Sequence, residues 1–164
     1  MDLELRKARA ADFPALQQLL ELYQYELCDI WQQDTDAEAR YGYALERHRL
    51  DQRFHAYVAL VGAQYAGFAL VAPAAVTRQT GHWMEQFFIH RRYRRIGAGR
   101  ALAAFVLRSH PGPWEVGQMP DNLPAQAFWR SVIPTVAESP FLELQVTQGW
   151  WQGVVQQFPV AAAG

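Results

Sequence analysis

The stretch "HWMEQFFIHRRYRRIGAGRALAAFVLRS", His82 to Ser109, limits the folds open to this chain more than any other segment. It opens with an aromatic-rich run that carries large apolar side chains on both faces, which predicts a strand inside a sheet. Five arginines follow, Arg91, Arg92, Arg94, Arg95 and Arg100, set around Gly97 and Gly99. The chain then turns helical, with Ala98, Ala101, Leu102 and Phe105 along one face. A second strand, "PWEVGQM", comes next. Two strands joined through a helix pair in parallel, so the middle of the sheet must contain a crossover.

The flanking segments supply the partners. "LELRKA" alternates Leu3 and Leu5 with charge and reads as a half-buried first strand. Asp12 is placed to cap a helix with Pro14 in its first turn and Leu16, Leu19, Leu20, Tyr23 and Leu27 at helical spacing. From Trp31 to Arg53 the chain is polar, with a further helix expected around Tyr41 to Arg49. "AYVALVGAQYAGFALVA" is two apolar runs broken at Gly62-Ala63-Gln64, a hairpin pattern. Asn122 is placed to cap a helix that has Pro124 in its first turn and runs through Ala125, Phe128 and Trp129. "FLELQV" and "WQGVVQQF", joined across Gly149, make a closing hairpin. The expected class is mixed α/β (α+β), built as a single domain over residues 1–164 with a frayed tail from about 160 to 164.

Composition narrows the functions. The net charge is -1 and Lys7 is the only lysine, so the arginine cluster is local and the chain is not a general nucleic-acid coat. Cys28 stands alone, which excludes an internal disulfide and a cysteine zinc site and fits a reducing cytoplasm. The N-terminus lacks an apolar signal core, and no apolar run approaches the roughly 20 residues that span a bilayer. His48, His55, His82, His90 and His110 lack metal-site spacing, so no metal is expected.

The arginine–glycine turn carries the chemistry. Unpaired N–H groups at a helix start hold the positive end of the macrodipole, and glycines admit an anion close to the main chain. Guanidinium groups add charge-assisted donors. The turn is therefore either a pyrophosphate site or an exposed basic loop. It is not a dinucleotide fingerprint, because Leu102 stands at the third glycine position, and no Gly-Lys-Ser/Thr makes it a Walker loop.

Arg94-Arg95-Ile96-Gly97-Ala98-Gly99 resembles the Arg/Gln-x-x-Gly-x-Gly/Ala acyl-CoA signature of the GNAT acetyltransferase superfamily, and "NLPAQAFW" resembles that family's Asn-x-x-Ala-x-x-Phe-Tyr helix. With "EQFFIHRRYRR" and "WEV" alongside them, the chain looks like a branch of acetyltransferases with unassigned substrate. The resemblance implies a central, mostly antiparallel sheet splayed between its fourth and fifth strands and flanked by helices. It implies acetyl-CoA as acyl donor, without a metal, and a small-molecule or peptide amine as acceptor, with no nucleic acid or membrane partner, in a monomer or homodimer.

The same resemblance implies roles for single residues. The amides of Arg95, Ile96, Gly97, Ala98, Gly99 and Arg100 bind the pyrophosphate, and Arg94 stands at the motif's Arg/Gln position. Phe88 and Ile89 pair through their main chain with the pantetheine, and the Ile89 N–H stabilises the oxyanion. Asn122 contacts the pantetheine, caps its helix, or does both. Arg91 and Arg92 either meet the 3′-phosphate or are solvated. Glu85 is the candidate base, expected on one face with Phe87 and Ile89, where apolar neighbours raise its pKa; the alternatives are a carboxylate at the sheet's edge or a partner for a nearby arginine. Trp129 takes the place of the family's acid tyrosine, and an indole N–H is no practical proton source. Water or Tyr93 is left to substitute.

His90 is either a surface histidine or a base. Trp31, Tyr41 and Tyr43 either shape the acceptor pocket or pack on the sheet. Trp150 and Trp151 either plug the last hairpin or form a dimer surface. The leading expectation is an acyl-CoA-dependent N-acyltransferase working by direct attack in a ternary complex. Its rivals are a non-catalytic acyl-CoA-binding domain and a nucleic-acid module built on "RRYRR".

Overall fold

The computed structural model describes residues 1–163. Among them, seven strands form one sheet: β1 Leu3–Lys7, β2 His55–Val61, β3 Gln64–Pro73, β4 His82–Ile89, β5 Gly112–Gln118, β6 Leu142–Val146 and β7 Gly153–Val160. Their spatial order is β1-β2-β3-β4-β5-β7-β6. Every neighbouring pair is antiparallel except β4–β5, which is parallel as the crossover requires. The helices that flank the sheet are α1 Phe13–Glu26, α2 Cys28–Trp31, α3 Glu46–Leu50, α4 Ala98–Ser109 and α5 Leu123–Val132.

Each face of the sheet has its own core. Leu16, Leu19 and Leu20 of α1 join Leu45 over Val58, Phe68, Leu70 and Phe88. On the other face, Leu102, Val106 and Leu107 of α4 and Trp129 and Val132 of α5 cover Met84, Trp114 and Phe158. The buried stripe of α4 is Ala98, Leu102, Ala103, Val106 and Leu107. Phe105, expected on that stripe, is partly exposed and meets the Tyr57 ring edge-on at 5.9 Å.

Three local expectations change. Asp12 does not cap α1 with its side chain. It is buried and accepts hydrogen bonds from Arg6 (2.6 and 3.1 Å), the Tyr65 hydroxyl (2.6 Å) and the Arg9 amide (2.6 Å). The Arg6 guanidinium, helped by Tyr65 and Arg9, holds its carboxyl far below the usual range, so Asp12 pins β1 to β3. The helix expected from Tyr41 to Arg49 forms only as α3. Tyr41 and Gly42 stay outside it because their amides donate to Glu21, at 2.8 and 3.0 Å. Val160, placed in the frayed tail, is the buried last residue of β7; Ala161–Ala163 are irregular, and Gly164 lies outside the described residues.

Three of the histidines gather at the end of the sheet where β2 and β4 begin. The His110 ring stacks 4.4 Å from His55 and 4.7 Å from His82, and Tyr57 Oη lies 2.7 Å from His110 Nε2. Burial, then mutual repulsion with the other histidines and Lys7, lowers His110 from 6.5 to about 4; burial also lowers His55 and His82. The folded state thus refuses protons that the unfolded chain takes up below about pH 6.5, so stability falls as pH drops from 7 towards 4. Melting temperature against pH checks this. The slope for His110→Gln is expected to be shallower than for the parent, and parallel curves would refute it.

Candidate active site

The site is built on an interruption of the sheet. β4 and β5 pair only where His82, Trp83 and Met84 face Trp114, Glu115 and Val116. Beyond that they diverge, while β5 stays paired with β7 to its end. A cavity of about 950 Å³ fills the gap. Its lining includes Arg94, Arg95, Gly97, Gly99 and Arg100 of the turn, with Tyr23, Trp31, Glu85 and Trp151.

Main-chain direction in β4 decides which peptide groups enter the gap. The His90 N–H donates to Ala66 O at 2.8 Å. By antiparallel alternation, the peptide groups of Phe88 then face β3, and those of Phe87 and Ile89 face the gap. The expectation for Phe88 therefore passes to Phe87. The Ile89 carbonyl is already engaged, accepting from Arg94 Nε at 2.8 Å, which leaves the Ile89 N–H facing the gap.

The turn after β4 holds an αL residue at Arg95 (φ 65°) and another at Gly97 (φ 87°), the N-cap of α4. Ala101 N–H makes the first bond of the helix, to Gly97 O at 3.0 Å. The amides of Ala98, Gly99 and Arg100 have no acceptor four residues back and point out of the helix start. The two glycines serve different ends. A Cβ on Gly97 would meet no atom within 4 Å, so glycine is needed there for its positive φ. A Cβ on Gly99 would lie 3.3 Å from Ile89 Cγ1 and 3.4 Å from Phe128 Cε2, so glycine there lets α4 close onto β4 and α5.

The arginine cluster is partly neutralised from within. Glu26, at the end of α1, accepts from Arg91 Nε (2.9 Å) and Arg94 Nη2 (2.6 Å). Burial pushes the Glu26 carboxyl up, but the two guanidinium groups outweigh it and leave it below its usual value. Arg94 is thus a staple between α1 and the Ile89 carbonyl. Arg92 lies against the Tyr93 ring, and Arg100 donates to Ser131 Oγ at 2.9 Å.

Glu85 departs from its expectation in two ways. The β3–β4 register steps from Leu70↔Gln86 to Val71↔Met84, so Glu85 is the extra residue of a bulge. The bulge breaks the alternation, and Glu85 turns to the α1–α3 face, away from Phe87 and Ile89. There its carboxylate accepts from the Tyr43 hydroxyl. His48 Nε2 lies 3.2 Å from Oε1. Burial pushes the carboxyl up, but His48, Tyr43 and the nearby Arg47 charge outweigh it. The Glu85 pKa is lowered, not raised.

Among the other expected residues, Asn122 Oδ1 accepts from Ala125 N–H at 3.3 Å, capping α5 while lining the cavity. Trp129 is buried, its ring edge-on to Phe87 at 5.0 Å. Tyr93 packs on the α4–α5 core beside His90 and is not among the residues lining the cavity. Glu26, Tyr43 and His48 escaped notice as a set because the hydrogen bonds of Glu26 and Tyr43 span 42 to 68 positions. Among the described residues, no three His, Cys, Asp or Glu side chains are placed to share a metal ion, and no helix is long and apolar enough to cross a membrane.

Replacing Tyr43 by Phe removes a donor to the Glu85 carboxylate, so the Glu85 pKa is expected to rise. Carbon-13 detected NMR titration of the glutamate carboxyls reads this directly. An unmoved Glu85 titration would show that Tyr43 does not set its charge.

Comparison with known proteins was made against this geometry. The sequence profile described as the acetyltransferase (GNAT) family matches residues 14–132. No curated protein sequence matches the chain. Among solved structures, an acetyltransferase from Thermus thermophilus superposes with a TM-score of 0.70 at 16% identity, over 98% of each chain. The PaiA N-acetyltransferase of Thermoplasma acidophilum, solved in complex with coenzyme A, gives 0.68 at 14% identity over 97% of this chain and 99% of that one. A spermidine N-acetyltransferase from Vibrio cholerae, solved with CoA and spermine, gives 0.63 at 13% identity over 97% and 95%. With the profile matched from position 14 to position 132, and the expected splay between β4 and β5, the chain belongs to the acetyltransferase (GNAT) family and is an N-acetyltransferase.

Proposed function

We propose that the chain transfers the acetyl group of acetyl-CoA to a primary amine of a small molecule or peptide, by direct attack with both substrates bound. One observation carries this reading: a single cavity is lined by the start of α4, the free edge of β4 and Glu85. The CoA-bound relatives support an acyl-CoA donor. A reducing, cytoplasmic setting accompanies the reading, on the strength of the lone Cys28.

The amides from Arg95 to Arg100 hold the pyrophosphate, with the macrodipole of α4 behind them. Arg95 and Arg100 add charge from the cavity wall, and Asn122 contacts the pantetheine while capping α5. Phe87 and Ile89 present peptide groups to the pantetheine arm as a neighbouring strand would. The Ile89 N–H faces the gap and stabilises the oxyanion. Glu85, ionised at neutral pH, receives the acceptor's ammonium group. Attack requires the neutral amine, so the ammonium first releases one proton to solvent. As the N–C bond forms, the nitrogen becomes acidic enough for a low-pKa carboxylate to take its proton. The C–S bond then breaks. Trp129 supplies no proton, and burial pushes the Tyr23 hydroxyl strongly up, so the thiolate leaves without a tyrosine acid and is protonated by solvent. A thiol pKa of about 8.5 makes that departure feasible.

Acetyl-CoA at about 100 times its Kd is expected to raise the melting temperature by about 5–10 °C. Gly97→Val forces a β-branched residue to positive φ and is expected to abolish the shift; an undiminished shift would remove the pyrophosphate assignment. Glu85→Gln is expected to lower kcat/KM for amine acetylation by about a hundredfold with the acetyl-CoA shift intact. Unchanged thiol release in that variant would end the role of Glu85.

A further inference from the structure

Resting on the acyltransfer reading, we infer that this enzyme's acceptor is a monoamine with a flat apolar body, and that polyamines are poor acceptors. Five large aromatic side chains, Tyr23, Trp31, Trp83, Trp150 and Trp151, line the cavity.

These rings are held in place by construction. Trp83 and Trp151 meet edge-to-face at 5.1 Å. A Cβ on Gly117 would lie 2.5 Å from Cη2 of each indole. A Cβ on Gly153 would lie 2.7 Å from Trp151 Cη2 and 2.3 Å from Gln118 O. Two glycines thus clear space around one indole. Trp150 donates from Nε1 to Ala75 O at 3.2 Å, yet the residue stays 70% exposed. The loop it grips is fixed in turn by Glu115, a fully buried carboxylate that accepts the amides of Ala75, Val76 and Thr77 at 2.7–2.8 Å. Tyr23 and Trp31 meet edge-on at 5.6 Å. Trp83 is buried, whereas Trp31 and Trp151 are half-buried and Trp150 is exposed, so the wall is more than a core plug.

Charge sets the rest of the specificity. Two carboxylates line the cavity, Glu26 and Glu85. Both Glu26 oxygens are taken by Arg91 and Arg94. On Glu85, Oε1 is held by Tyr43 beside His48, which leaves Oε2 for one ammonium. Indole faces offset part of one cation's desolvation. A polyamine brings further ammonium groups, and the wall offers them no second free carboxylate, so their burial is penalised.

The test is an acceptor panel on the protein with acetyl-CoA, read as thiol release: tryptamine and phenethylamine against spermidine. The aryl-alkylamines are expected to show kcat/KM at least about tenfold higher. Trp31→Ala and Trp151→Ala are each expected to raise the KM for tryptamine about tenfold, with the CoA Kd unchanged by calorimetry, and Trp151→Phe is expected to restore most of it. Preference for spermidine, or an unchanged KM in both alanine variants, overturns the inference. If acetyl-CoA binds but no amine releases thiol, the acyltransfer reading fails, and calorimetry of tryptamine into the CoA-loaded protein decides the pocket separately. Heat that is lost in both alanine variants upholds the aromatic wall. No heat with tryptamine, or heat that survives in both variants, refutes it.

Discussion

A sheet whose two central strands stop bonding to each other after three residue pairs must do something with the peptide groups it strands. Unpartnered main-chain groups away from water are expensive, so a gap of this kind survives only if other groups or a ligand complete it. Here one of them, the Ile89 carbonyl, is taken by Arg94. The remaining edge of β4 stays open to the cavity. Everything that shapes the site follows from that opening. α4 begins beside it, α5 and α1 border it from opposite faces, and the Glu85 bulge sits where the strands part.

The same economy explains the arginines. Packed into one turn they repel each other, and the fold answers with Glu26, which takes two of them and ties α1 to the turn. The turn is therefore held before any anion arrives. Arg94 keeps the shape of the site, while the main-chain amides just after it remain available. Glu85 shows a parallel logic on the other side of the gap. A buried carboxylate left alone would be pushed towards neutrality, yet His48 and Tyr43 keep it charged.

Local chemistry in the chain foretold local structure well. The β2–β3 hairpin at Gly62-Ala63, the Asn122 cap, the parallel β4–β5 pair and the glycine turn each rest on a few adjacent residues, and those residues stand together in the sequence. What stayed hidden depends on partners far along the chain. Asp12 looked like a helix cap because the competing Tyr65 lies 53 residues away. Glu85 was assigned to the wrong face because one extra residue in β4 reverses the alternation, and only the pairing with β3 reveals it. Glu115 sat unremarked in an apolar strand; a lone carboxylate there was the available signal that a loop would come to meet it.

The central claim is that the open amides at the start of α4 and the free edge of β4 together receive the coenzyme. Nitrogen-15 NMR of the intact protein, titrated with CoA, tests this at each amide. The account predicts that the Ile96, Gly97, Ala98 and Gly99 resonances move downfield and that the Phe87 and Ile89 amides gain protection from hydrogen exchange. Saturable CoA binding that leaves all of these amides unchanged would contradict it.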